Sequence, residues 1–232
     1  AGAAAFTYGD FGPLSGAHPY VINQMDSAFI TLPSFLDERH AVTDTASAEA
    51  YLTRLRAAAD AIDQETERAR ADAALGVRPP GFILDTVAGM LESILRQPPV
   101  SQVYITSFRT KLEAIAAREQ NAERRTVIER DNQVLLARAE AIVRDHVLPA
   151  HQRALAWVRA ERSRASDAPG VSNLPQGADY YAAALKIETT SDLTPDQIHR
   201  IGLDRVTALN RELDIALRRL GLVRPGAIAL CR

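Results

Sequence analysis

The spacing of the apolar residues constrains this chain most: they recur every three or four positions and nowhere alternate. Tyr51, Leu55, Ala58 and Ile62 stand four, three and four apart. That puts them on one stripe of a helix that the spacing predicts from about Ala46. Asp44 or Thr45 supplies a cap for its first amides, and alanines raise its propensity throughout. Arg54, Arg56, Glu65, Glu67, Arg68 and Arg70 are expected on its polar face. Gly76 and the pair Pro79 and Pro80 stop it. A second helix is predicted over 82–96, with Leu84, Val87, Leu91, Ile94 and Leu95 inward and Pro98 and Pro99 behind it. A third, over 100–120, carries Val103, Phe108, Leu112 and Ile115. A fourth, over 122–148, has Val127, Ile128, Val134, Leu135, Ile142 and Val143 as its stripe. It runs through Pro149 into 150–164 as one long helix with a bend.

The two ends differ from this middle. Residues 1–45 read as an irregular covering segment. Gly9, Gly12, Pro13, Gly16, Pro19 and Pro33 punctuate them, and Phe6, Tyr8, Phe11, Tyr20, Phe29 and Phe35 make them too apolar for a linker. After a break at 166–170, the glycine-bounded stretch 170–177 leads to a short helix with Tyr180, Tyr181 and Leu185. Thr194 as N-cap, Pro195 at the first helical position and Gln197 three after the cap then open a long helix. Ile198, Ile201, Val206, Leu209, Leu213, Leu217 and Leu220 follow at helical spacing, and Gly221 ends it. With no strand pattern, the fold class is all-α. We expect an elongated array of long amphipathic helices with a glycine-, proline- and aromatic-rich N-terminal segment. The chain is then one helical region over 1–232, divided into 1–45, the array 46–165 and the Tyr-Tyr segment with its long helix, 170–221.

Composition removes several functions. Lysine plus arginine is 27 against 29 for aspartate plus glutamate, a net charge of -2, which gives no footprint for nucleic acid. The 47% of apolar residues excludes a disordered chain. No apolar run approaches the roughly 18 residues of a transmembrane helix. The single cysteine, Cys231, makes neither an internal disulfide nor a cysteine-built metal site. The five histidines are His18, His40, His146, His151 and His199. No two are four apart and no H-E-x-x-H occurs. His146 and His151, five apart, diverge by about 140° on a helix and read as partly exposed. Asp145 diverges from its neighbour His146. Leu14, Ser15 and Gly16 only graze a nucleophile elbow, and there is no G-x-G-x-x-G or P-loop. The carboxylates alternate with arginines along what read as solvated helix faces. Asp37, Glu38, Arg39 and His40 follow Phe35 as a loop-to-helix junction or a functional edge. No catalytic residue and no metal ligand is therefore assigned.

The Tyr-Tyr pair is more informative. Adjacent side chains on a helix point about 100° apart, so one ring can pack while the other turns its hydroxyl into a cleft. Thr189, Thr190, Ser191 and Asp192 add polar groups just downstream. Tyr180, Tyr181 and Thr190 are the candidate substrate contacts; the alternative is a buried aromatic followed by a capping cluster.

Residues 170–203 (GVSNLPQGADYYAAALKIETTSDLTPDQIHRIGL) resemble a stretch of the bacterial family called domain of unknown function 885. That family shows a glycine, Leu-Pro-x-Gly, two tyrosines, a threonine run and Leu-Thr-Pro-x-x-Ile-His. Pro19, Tyr20 and Val21, then Leu32, Pro33, Ser34, Phe35, Leu36 and Asp37 with His40 and Val42, resemble its opening motif. Ser191 departs from a third threonine and Ile201 from leucine. The resemblance covers nearly the whole chain. It implies a much longer protein similar to zinc-dependent peptidases of the H-E-x-x-H type, with that motif in the part that follows this chain.

On that resemblance the chain is the N-terminal half of a larger helical metallopeptidase-like fold acting on peptides. Zinc is expected in the complete protein and none is bound by this chain alone. The expected partner is a C-terminal half, as a second chain or a missing segment, and a tyrosine hydroxyl would donate to the developing oxyanion. A non-catalytic helical scaffold or partner-binding module descended from such an enzyme is the other reading, and a coiled-coil assembly protein a third. Location stays open between periplasmic, secreted or lipoprotein, and cytoplasmic.

Overall fold

The computed structural model describes residue 8, residues 10–12 and residues 16–222. Phe6, Gly9, Pro13, Leu14, Ser15 and Cys231 lie outside the described residues. The fold is all-α, with two three-residue strands, β1 (Asp10–Gly12) and β2 (Gly16–His18), paired with each other. Eight α-helices follow among the described residues: α1 (Ala28–Ser34), α2 (Thr45–Ala74), α3 (Gly81–Leu95), α4 (Val103–Arg118), α5 (Ala122–Ile142), α6 (Leu148–Arg162), α7 (Gly177–Thr189) and α8 (Pro195–Arg219). The chain divides into two compact units. The larger holds residues 18–177 with Tyr8 and Asp10; the smaller holds residues 178–222 with residues 11, 12, 16 and 17.

In the larger unit α2 is the central element. It starts where Asp44 accepts the Ser47 amide at 2.8 Å while the Ser47 hydroxyl takes the Asp44 amide at 3.0 Å, so two otherwise orphaned donors are satisfied together. Its stripe of Tyr51, Leu55, Ala58 and Ile62 is buried, as the spacing predicts. Helices α1, α5 and α6 pack against α2, α3 against α6, and α4 against α5. The shared core adds Leu84, Val87 and Leu91 from α3, Phe108 and Leu112 from α4, and Ala150, Ala154 and Val158 from α6. Gly76, at φ 90°, ends α2 in a conformation that costs glycine nothing.

Arginine–carboxylate pairs bridge these helices. Arg138 reaches Glu49, Arg153 reaches Asp63 at 2.6 Å, and Arg159 and Arg162 reach Glu92 and Asp85, both at 2.8 Å. The charges are exposed, so each pair adds at most about 1 kcal/mol; they join α5 and α6 to α2, and α6 to α3.

Four local expectations need correction. The span 28–39, read as irregular, is helical: α1 passes into a π turn (Phe35–Arg39). The run through Pro149 needs no correction: helical backbone continues from α5 to α6 as expected, through a second π turn (Val143–Val147). Pro149 lacks the amide that would bond four residues back, and the widened turn absorbs that mismatch. His151 is not partly exposed but fully buried. Its Nδ1 donates to the Val147 carbonyl at 2.7 Å, and burial holds its pKa below the usual histidine value. Val127 and Val134, placed on a buried stripe, are about half exposed (49% and 57%), because the buried residues of α5, Leu135 and Ala139, both lie in its second half.

Glu65 is the fourth. It follows Ile62 by three positions, which returns it to the apolar stripe instead of the polar face. Its two oxygens accept the Ala28 amide at 2.9 and 3.1 Å, at the start of α1. Burial, opposed by that hydrogen bond and assisted by the Asp26 charge, raises its pKa from 4.5 to about 7. The folded chain therefore keeps a proton that the unfolded chain releases between these two values. Stability falls as pH rises from about 4.5 to about 7 and is flat above, as far as this group contributes. Glu65→Gln is expected to remove that slope. Urea midpoints at pH 5 and pH 8 check it: the parent loses stability at the higher pH through this group and the variant does not.

Candidate functional site

Two segments carry the sequence motifs; the first lies in the larger unit, and the second runs along the chain from the larger unit into the smaller. The first is the turn around Phe35. Lys111 of α4 points at its end and donates from Nζ to the carbonyls of Leu36 (2.5 Å), Asp37 (2.6 Å) and His40 (2.9 Å). Three ammonium protons meet three carbonyls that helical bonding leaves unsatisfied, and a cation sits at the negative end of the helical run. His40 is buried. Its Nε2 donates to the Ser47 carbonyl at 3.1 Å, and its Nδ1 accepts from Arg54 at 2.5 Å. Both bonds require the neutral ring; burial lowers its pKa, and the Arg54 and Lys111 charges add to the lowering. The ring stands edge-on to Tyr51 at 5.2 Å, and Tyr51 stacks on Phe108 at 4.4 Å. Every polar group of His40 is thus used inside the fold. The candidate edge at Asp37, Glu38, Arg39 and His40 is an anchored turn, with its first three side chains exposed.

The second segment surrounds the tyrosines. Residues 171–177 fold as two consecutive turns, closed by Leu174 N–H on the Val171 carbonyl at 3.0 Å and Gly177 N–H on the Leu174 carbonyl at 2.9 Å. The Tyr8 hydroxyl donates to the Pro175 carbonyl. A Cβ at Gly177 would lie 2.0 Å from the Val171 carbonyl oxygen, so only glycine fits. In the smaller unit, α7 buries Tyr180 (1% exposed) and leaves Tyr181 48% exposed, the division that adjacent helix positions impose. Glu188 near the end of α7 accepts the Ala17 amide at 3.1 Å. The helix ends at an exposed knot: the Thr189 and Ser191 hydroxyls meet at 2.9 Å and Lys186 pairs with Asp192 at 2.6 Å. Thr194 and Gln197 then form the expected capping box on α8.

Among the described residues, only two other than glycine have positive φ, and they bracket α7: Gln176 at 54° and Thr190 at 51°. For threonine, whose branched Cβ crowds the backbone, this is a strained conformation costing about 1–2 kcal/mol. Such strain persists where the surroundings over-determine it and clusters at ligand sites. Thr190 is exposed.

The structure does not gather the three candidate contacts at one point. Tyr180 and Tyr181 diverge. Thr190 lies nine positions beyond Tyr181, one residue past the end of α7 and so about 13 Å further along the helix axis. They form a strip along α7 in place of a pocket. Among the described residues, no group of three or more His, Cys, Asp or Glu side chains is arranged to hold a metal ion, and no helix is long and apolar enough to cross a membrane. Sequence reasoning missed Lys111, although a lysine three positions after Phe108 on the α4 stripe is a readable signal.

A family model described as bacterial protein of unknown function (DUF885) matches residues 3–229. A crystal structure of a Colwellia psychrerythraea protein, provisionally described as a lipoprotein, superposes with a TM-score of 0.87 at 25% identity over 97% of this chain. The chain spans 37% of that protein's length. Among curated proteins, none matches the chain.

Gly177 and Thr190 give opposite expectations. Gly177→Ala is expected to break the 171–177 turns, read as faster amide exchange across them. Thr190→Gly is expected to stabilise the fold by about 0.5–1 kcal/mol by removing the strain, read as a higher urea midpoint.

Proposed function

The chain belongs to the bacterial family DUF885, and on that premise we propose that it is the N-terminal, substrate-facing part of a zinc-dependent hydrolase acting on peptides. The observation that supports this reading most is the α7 strip. Tyr180 is sealed in the fold, Tyr181 presents its phenol to solvent, and strained, exposed Thr190 closes the same helix. A phenol on a rigid helix is a positioned donor for a peptide carbonyl, and a threonine hydroxyl both donates and accepts. An extended peptide offers such groups at regular intervals, which suits a strip better than a pocket.

The described residues do not fit a zinc site. In this proposal the metal and the glutamate that works with it belong to polypeptide outside residues 1–232, and no metal-dependent step is assigned to this chain. Its own task is to bind and orient: Tyr181 and Thr190 hold the substrate, and Tyr180 anchors the helix that carries them. That the Colwellia protein spans much more sequence than this chain supports a larger whole. Its description as a lipoprotein supports a location outside the cytoplasmic membrane.

The test uses the full-length gene product, a mixed peptide library and zinc. Hydrolysis that stops on chelation and returns with zinc is expected. Tyr181→Phe is expected to lower kcat/KM about tenfold, the equivalent of one hydrogen bond worth about 1.4 kcal/mol, with unchanged circular dichroism. A folded full-length protein that binds no zinc and cleaves no peptide sinks the reading and leaves the scaffold alternative.

A further inference from the structure

Helix α8 has no buried residue among its 25. Its apolar side chains are nonetheless ordered. Gly202, Val206, Leu209, Leu213, Ala216 and Leu220 stand four, three, four, three and four apart, the repeat of a coiled-coil seam. Val206, Leu209, Leu213 and Leu220 are 49–71% exposed, and Ile201 and Leu203 widen the stripe. A Cβ at Gly202 would meet nothing within 4 Å, which leaves a notch where a second helix could approach closely. Along one edge run Arg205, Glu212 and Arg219, seven apart, without an ion pair among the described residues. Arg218 is already held by Asp214 at 2.8 Å.

We infer that this seam is the docking surface for an amphipathic helix of the polypeptide that lies outside the matched 37% of the longer relative's length. The inference rests on the proposed reading of residues 1–232 as part of a larger protein. Two observations choose this occupant. The unmatched 3% of the chain is shorter than α8, so most of that helix falls inside the match, while most of the relative's sequence is outside it. The edge charges, basic, acidic, basic, call for a helix with the opposite order, which is a protein partner's chemistry. A lipid surface would ask for a strongly cationic polar face, yet α8 carries five arginines against four carboxylates (Asp196, Asp204, Glu212 and Asp214). At 25 residues the seam is about 37 Å long, enough for several layers of knobs in holes.

Amide hydrogen exchange on the full-length gene product and on the 1–232 chain tests this. Amides 198–218 are expected to exchange at least tenfold more slowly in the full-length protein. Leu209→Glu with Leu213→Glu in the full-length protein is expected to abolish most of that difference while protection over 45–162 stays. Thr207→Glu, on the opposite face, is expected to leave it intact. Equal exchange in the two proteins overturns the inference. So does a gene product that ends at Arg232, protection in the 1–232 chain that grows with concentration as its mass doubles, or protection gained only on anionic vesicles. Peptide hydrolysis is scored separately. A protected α8 in a protein that cleaves nothing keeps the interface and removes the peptidase reading; cleavage with an unprotected α8 does the reverse.

Discussion

Tyr51 has to bury a large ring and satisfy a hydroxyl at the same time, and the larger unit is organised around that requirement. The ring is fully buried against Phe108, with its hydroxyl donating to the Tyr104 carbonyl at 2.8 Å. Burial pushes the phenol's pKa well above its ordinary value, so it stays a donor at every accessible pH. One residue of α2 thereby fixes α4 in register and rotation. The rest of the turn at residue 35 hangs from the same pair. His40 packs its edge on Tyr51, and Lys111, one turn beyond Phe108, reaches the three carbonyls with its charge 5.6 Å from the Tyr51 ring centre. The family's opening motif is thus held from below by a helix about seventy residues further on in sequence.

Much of this was legible in the sequence, and the limits are physical. Helix starts were readable because caps act over three or four residues: Asp44, one of the two candidates, caps α2, and Thr194 with Gln197 caps α8 as their spacing says. Helix stops were readable at Gly76 and at Pro79 and Pro80. What escaped were side chains whose role depends on a distant segment. Glu65 and Lys111 are charged, and a pattern of polar and apolar letters assigns them to water. Both instead serve the open ends of the helical run 28–39, Glu65 taking the first amide and Lys111 the last carbonyls. A short helix interrupted by Pro33 cannot cap itself, and two long helices lend the groups that do it. The π turns escaped because the propensities that mark them are those of any helix.

The candidate site was legible as residue types and not as geometry. The pair Tyr180 and Tyr181 had to split into one buried and one exposed ring on any helix with a single buried face, and it does. The sequence offered no measure of the backbone at Thr190. A threonine followed by Ser191 and Asp192 reads as a relaxed turn, yet its φ is 51°. Asparagine or glycine would sit there more comfortably, so a threonine at this position carries a cost. The Cβ-intolerant Gly177 at the other end of α7 adds to this: the chain enters and leaves the helix through conformations that few residues accept.

Helices α2 and α8 pose the last question, because their sequences obey the same rule and their surroundings differ. Both carry apolar residues every three or four positions, both begin with a complete capping box, and both are long. Helix α2 buries Tyr51, Leu55 and Ile62, while α8 buries nothing among the described residues. Periodicity therefore reports that a helix has a face in need of a partner; it does not report that the partner is encoded nearby. Local capping can hold α8 helical as a unit of 25 residues, since its first amides are satisfied and its last turn carries Arg218 and Arg219 at the negative end of the dipole. What capping cannot do is remove Val206, Leu209, Leu213 and Leu220 from water. A folded surface in contact with water rarely leaves so long an apolar seam uncovered, so the physical chemistry of α8 by itself argues for a contact beyond the residues that surround it here.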